Sequence, residues 1–175
     1  RATAGGAGFF LIHGYDVAQT AYHQAQAGDS QGAAATIASG AQFLTELRRI
    51  EPANSIAVVL LDTLQELPAA GVALQRDDFT TAIRISREAA RQLDTTTPSG
   101  GLQENQKYLS LFVAYHFEGR AEYLQGDFAA AEKSERAALK ARTRSPVEAV
   151  SDRRDTAELS TWLALAMAAQ GRLAE

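Results

Sequence analysis

Apolar and polar positions recur along this chain with a helical period nearly from end to end. Leu11, Tyr15, Ala18, Tyr22 and Ala25 fall at i, i+4, i+7, i+11 and i+14, which is one face of an α-helix. Read with its start and stop signals, the pattern predicts seven helices, at about 8–27, 30–50, 54–76, 78–93, 102–125, 128–143 and 145–170. Pro52 closes the second, and Asn54 or Ser55 caps the third. Pro68 inside the third helix cannot bond the carbonyl of Leu64, which predicts a kink. Asp94-Thr95-Thr96-Thr97-Pro98-Ser99-Gly100-Gly101 reads as a loop. Ser145-Pro146-Val147-Glu148 is a capping box with Pro at the first helical position, and Gly171 ends the last helix. Gly14 is expected to weaken the first helix by roughly 1 kcal/mol against Ala. The fold class is therefore all-α.

The helices are not independent. Asp29, Asp78 and Asp127 lie 49 residues apart, each at the turn between two helices. The same offset relates Leu11, Leu60 and Leu109, and Ala33, Ala82 and Ala131. Ala21, Ala70 and Gly119 are all small, as are Gly40, Ala89 and Ala138. Each column has a physical reason. Asp before a helix accepts from its first free N–H groups and suits the positive end of the dipole. Gly before that Asp permits the positive φ that ends the preceding helix. Small residues in mid-helix let helices approach closely. The units are 8–53, 54–101, 102–144 and a partial 145–175, each a helix A, a tight turn and a helix B.

Gly119-x6-Gly126-Asp127-Phe128-x2-Ala131-x6-Ala138-Leu139 resembles the tetratricopeptide repeat, a helix–turn–helix unit of about 34 residues. Ala70, Asp78, Phe79, Ala82 and Ala89 repeat the pattern more weakly, and residues 21–41 carry Ser30 where an aromatic is usual. Ala164 and Gly171 fit the start of a fourth unit at an offset of 45. The family's usual Trp, first Leu and Tyr in helix A fall at Tyr115, Glu118 and Glu122, and its closing Pro is absent. The period exceeds the family's, so longer helices or longer links are expected. The resemblance implies a right-handed α-solenoid of antiparallel helix pairs, of the kind common in bacterial sensor and regulatory proteins, with the A helices lining a concave groove.

Composition narrows the function. Acidic and basic residues are mixed throughout and the net charge is −4, which argues against a nucleic-acid or anionic-membrane surface. The longest uninterrupted apolar run, Ile56 to Leu61, is far short of the ~20 residues of a membrane span. Cysteine is absent, which removes thiolate chemistry and cysteine-ligated zinc. The chain begins with Arg1 rather than Met and is expected to be a piece of a longer protein.

The sequence carries no complete catalytic motif. Residues 8–16, GFFLIHGYD, resemble the strand and turn before the oxyanion loop of α/β-hydrolases, but no G-x-S-x-G elbow follows and the helical period runs through them. The Ala4-Gly5-Gly6-Ala7-Gly8 stretch lacks the Lys and hydroxyl of a phosphate loop. His13, His23 and His116 do not pair at helical spacing, so no metal site is expected. Glu118 with Glu122, Glu132 with Arg136, and the row Arg84, Arg87, Arg91 read as solvated helix faces. No cofactor and no catalysis are expected.

Helix 102–125 is apolar on more than one face, which makes it central or groove-lining. Carried over residue by residue, the family's groove positions fall on His116, Arg120 and Tyr123, and on Tyr15 and Tyr22 in the first unit. Tyr108 and Phe112 on the aromatic helix complete the candidate binding set, since Tyr and Arg are enriched at interface hot spots. The expected function is a noncatalytic module binding a protein or peptide; the alternative is a sensory domain closing on a small molecule. Leu159, Trp162, Leu163, Leu165 and Met167 lack a following B helix, so a homodimer through helix 146–170 is also expected.

Overall fold

Helix follows helix: α1 (Ala4–Gln26), α2 (Ser30–Ile50), α3 (Ile56–Gln75), α4 (Phe79–Asp94), α5 (Gly101–Leu124), α6 (Phe128–Arg142) and α7 (Ser151–Ala169). The structure, a computed structural model, describes residues 4–52, 55–98, 100–145 and 151–172, and no strand occurs among them. The protein is all-α, with boundaries within a few residues of those the stop signals predict. Residues 146–148 of the predicted capping box lie outside the described residues. α3 runs through Pro68 as one helix, capped by Ser55, whose hydroxyl accepts from the Val58 N–H.

The 49-residue repeat is physical. Asp29, Asp78 and Asp127 are N-caps with nearly the same backbone, φ/ψ −84/71, −87/67 and −85/73. Their carboxylates accept from the N–H groups of Gly32, Thr81 and Ala130 at 2.8, 3.1 and 3.1 Å. Each cap's own N–H reaches back to the fifth residue before it, Gln24, Ala73 or Glu122, at 2.9 Å, which closes the preceding helix as a Schellman turn. The residue between is left-handed in all three turns: Gly28 at φ 86, Asp77 at φ 57 and Gly126 at φ 86. Ala33, Ala82 and Ala131 are all fully buried.

Each helix packs on the next in sequence, and the odd-numbered helices also touch one another: α1 on α3, α3 on α5, and α5 more lightly on α7. Among the described residues the even-numbered helices do not meet. Small residues set these approaches. Gly14 is not an incidental weakness in α1, because a Cβ there would collide with Leu61 of α3. Gly71 of α3 lets the Phe117 ring of α5 lie where a Cβ would be 3.0 Å away.

α3 and α5 form the interior, with Leu60, Leu61, Leu67 and Phe117 at its centre. By length and composition α3, 20 residues long with an 18-residue window of mean hydropathy 1.5, would suffice to cross a membrane, although no uninterrupted apolar run predicts it. Here 67% of that window is buried by neighbouring helices, as expected of a core helix. The unpartnered face predicted for α7 is only partly open: Leu159 is fully buried, Trp162 half-buried and Leu165 exposed.

Candidate functional site

The residues singled out from the sequence fall in different places. Phe112, His116, Arg120 and Tyr123 face α6 and α7, Tyr22 lies on the α1–α3–α5 side, and Tyr108 faces the end of α6. Tyr15 is half-buried on α1.

The α5–α6–α7 group is a polar core rather than an open groove. His116 is 1% exposed. Its Nδ1 lies 3.1 and 3.0 Å from the two oxygens of Glu135 on α6, and its Nε2 lies 3.4 Å from Glu158 on α7. Both ring nitrogens thus face carboxylates, the pattern of an imidazolium donating from each N–H. Burial disfavours that charge, but the bonds to Glu135 and Glu158 outweigh it and raise the His116 pKa. Phe112 stacks on its ring at 6.2 Å. Arg120 places Nη1 3.7 Å from Glu158 and lies over the Trp162 ring at 5.1 Å, and Tyr123 meets the same ring edge-on at 5.5 Å. The set is therefore a clasp that seats α7 on α5 and α6.

Of two pairs read from sequence as solvated faces, the carboxylates are buried, and only Arg136 stays exposed. Glu118 and Glu122 are buried, and Arg87 of α4 bridges them at 2.6 and 2.7 Å while Ser134 donates to Glu122 at 2.8 Å. Burial raises the Glu122 pKa, and the Ser134 and Arg87 bonds offset part of that rise. Arg91 pairs within α4 with Glu88, and all three arginines of the row are exposed, Arg87 differing in that its guanidinium reaches across to the α5 carboxylates. Glu132 is buried too; it accepts from Arg136 at 2.9 Å, Arg172 at 2.7 Å and Gln170 at 3.0 Å, tying α6 to the end of α7.

Sequence reasoning missed Glu135 and Glu158, although the repeat held a signal. The columns of His116 and Glu135 contain Leu67 and Ser86 in the second unit, and Ala18 and Ile37 in the first. Charge at two facing core columns marks an internal pair. A second column pair behaves likewise. Thr36 donates to Gln24 at 2.7 Å in the first unit and Ser134 to Glu122 in the third, whereas the second unit has Ala73 and Ile85.

On the opposite side, α1, α3 and α5 meet in a narrow apolar crease edged by Gln19, Tyr22, Pro68, Leu109, Ser110 and Val113. Tyr22 packs on Phe117 at 5.5 Å. Leu109 is only half-buried there, while its repeat equivalents Leu11 and Leu60 are buried. Among the described residues no group of three or more metal-ligating side chains converges. No protein-family model matches the chain, and neither a curated protein nor a solved structure is significantly similar to it.

Proposed function

We propose that this chain is a noncatalytic interaction module of the tetratricopeptide-like kind, a right-handed solenoid of antiparallel helix pairs that binds a peptide or a helix of a partner protein. The observation that carries the reading is the threefold recurrence of one helix–turn–helix geometry, with contacts confined to neighbouring helices. The buried charges of His116, Glu118, Glu122, Glu132 and Glu135 are engaged with other charged groups, which favours recognition by shape over reaction. The partner surface in this reading is the crease of α1, α3 and α5, where Tyr22 and Leu109 offer apolar area beside the polar Gln19. His116, being enclosed, acts here as support for α7.

A displayed random-peptide library selected on the immobilised protein tests this. The expected outcome is a family of apolar-rich peptides whose binding weakens about tenfold or more in Gln19→Ala, with the melting transition little changed, and also in Tyr22→Ala, which lowers the melting transition because Tyr22 packs on Phe117. Failure to enrich any sequence, or enriched peptides indifferent to those substitutions, would overturn the assignment of the crease.

A further inference from the structure

A second opening lies away from the crease, between the end of α4, the first half of α5 and the end of α6. It is a cleft of about 390 Å³, within the range of small-molecule sites. Three cations line it: Lys107 from α5, and Lys140 and Arg144 from and just after α6. Among the described residues none of the three has a carboxylate at ion-pair distance, whereas Arg48, Arg49, Arg87, Arg91, Arg136 and Arg172 all do.

Lys107 is the telling member. It is only 9% exposed, and its Nζ donates to the carbonyl of Thr96 at 2.7 Å. A buried ammonium satisfied by a neutral carbonyl retains unneutralised charge, which a bound anion would offset. Part of the Lys107 role is to tie the α4–α5 loop to α5, and that role accounts for the hydrogen bond but not for the two further cations gathered beside it.

The walls are aromatic. Tyr108 carries the Arg144 guanidinium 5.7 Å from its ring centre. Tyr115 donates its hydroxyl to Asp94 at 2.7 Å. Burial pushes the Tyr115 phenol well above its ordinary pKa, so it stays a donor. Among the described residues Asp94 is the one acid lining the cleft, and this bond engages one of its oxygens.

We infer that this cleft is a binding site for a small organic oxyanion, a carboxylate or phosphoryl group on a flat apolar body, held by Lys107, Lys140 and Arg144 with the body against Tyr108. Guanidinium and ammonium groups match either head group, and Tyr108 with its stacked Arg144 supplies a planar surface. The site is independent of the crease and of the interaction reading.

Titration calorimetry at fixed ionic strength, with phenyl phosphate, benzoate and inorganic phosphate as probes, tests the inference. One-to-one binding of phenyl phosphate or benzoate, about tenfold tighter than inorganic phosphate, is expected, and the better probe identifies the head group. Lys140→Glu/Arg144→Glu changes two exposed side chains and is expected to weaken that binding about tenfold or more. Lys140→Gln/Arg144→Gln serves if the reversal perturbs folding. Tyr108→Leu is expected to lose the preference over inorganic phosphate. No saturable binding of either aromatic anion, binding indifferent to the charge variants, or tighter binding of a glutamate-rich peptide than of either probe would overturn it.

Discussion

His116 shows how a single side chain can be central to a structure without belonging to a site. Between Glu135 and Glu158, with Arg120 beside them, its charge is an internal requirement. His116→Leu strands the Glu135 carboxylate in the interior and is expected to lower stability by about 3–5 kcal/mol. His116→Leu/Glu135→Leu removes both charges and is expected to recover most of that loss, because Leu67 and Ile37 already occupy these columns in other units. The sign of the pH dependence follows. His116 has a folded pKa raised above 6.5, so its contribution is complete below pH 6.5 and is lost as pH rises through the folded value. Burial also raises Glu135, which adds a slope of the same sign from lower pH. Urea unfolding across this interval should show wild-type stability falling with pH more steeply than that of the double variant, which keeps the same-sign slope of Glu122. Equal slopes would remove His116 from this role. The sequence marked His116 and Arg120 as prominent because a helical residue's type is visible; their burial is not, since it depends on what α6 and α7 place opposite.

At the level of the helix and its turn, local chemistry carries most of the information. An Asp cap, a left-handed residue before it and a small residue facing the neighbour are local requirements, so their spacing announces the units before any contact is known. The middle turn departs from the rule in one residue: Asp77 takes a positive φ where the flanking units have Gly. That conformation strains an L-residue by about 1–2 kcal/mol, while Gly adds freedom to the unfolded chain. Asp77→Gly is therefore expected to stabilise by roughly 0.5 kcal/mol, and Gly126→Ala to destabilise by about 1 kcal/mol, as measured by chemical denaturation. The opposite ordering would mean that the backbone at these turns differs from the one described. What stayed illegible at this level was partnership between helices. Gly14 read as a cost to α1 because Leu61, its reason, stands 47 residues away. Glu118 and Glu122 read as solvated because Arg87 comes from another helix.

For the whole molecule, the contact pattern bears on how stability is distributed. Among the described residues α1 and α2 share no helix–helix contact with α6 or α7, and α7 rests on α6 with a lighter contact to α5. In a molecule of this kind stability is a sum over units and their interfaces, and a local weakness stays local. A globular bundle with one shared core would spread it. Leu159 decides between them, because it is the fully buried leucine of α7 and joins the common hydrophobic cluster. Leu159→Ala is expected to cost about 2–5 kcal/mol at that interface. Hydrogen exchange followed by mass spectrometry should then show faster exchange in α7 and along α6, with α1 to α4 unchanged. A uniform rise in exchange from α1 to α7 would mean one cooperative core, and the solenoid reading would fall with it. The polar clasp argues for the local outcome: His116, Arg120 and Tyr123 reach α7 from a single helix, so α7 can loosen by losing their contacts while the core built on α3 stays packed.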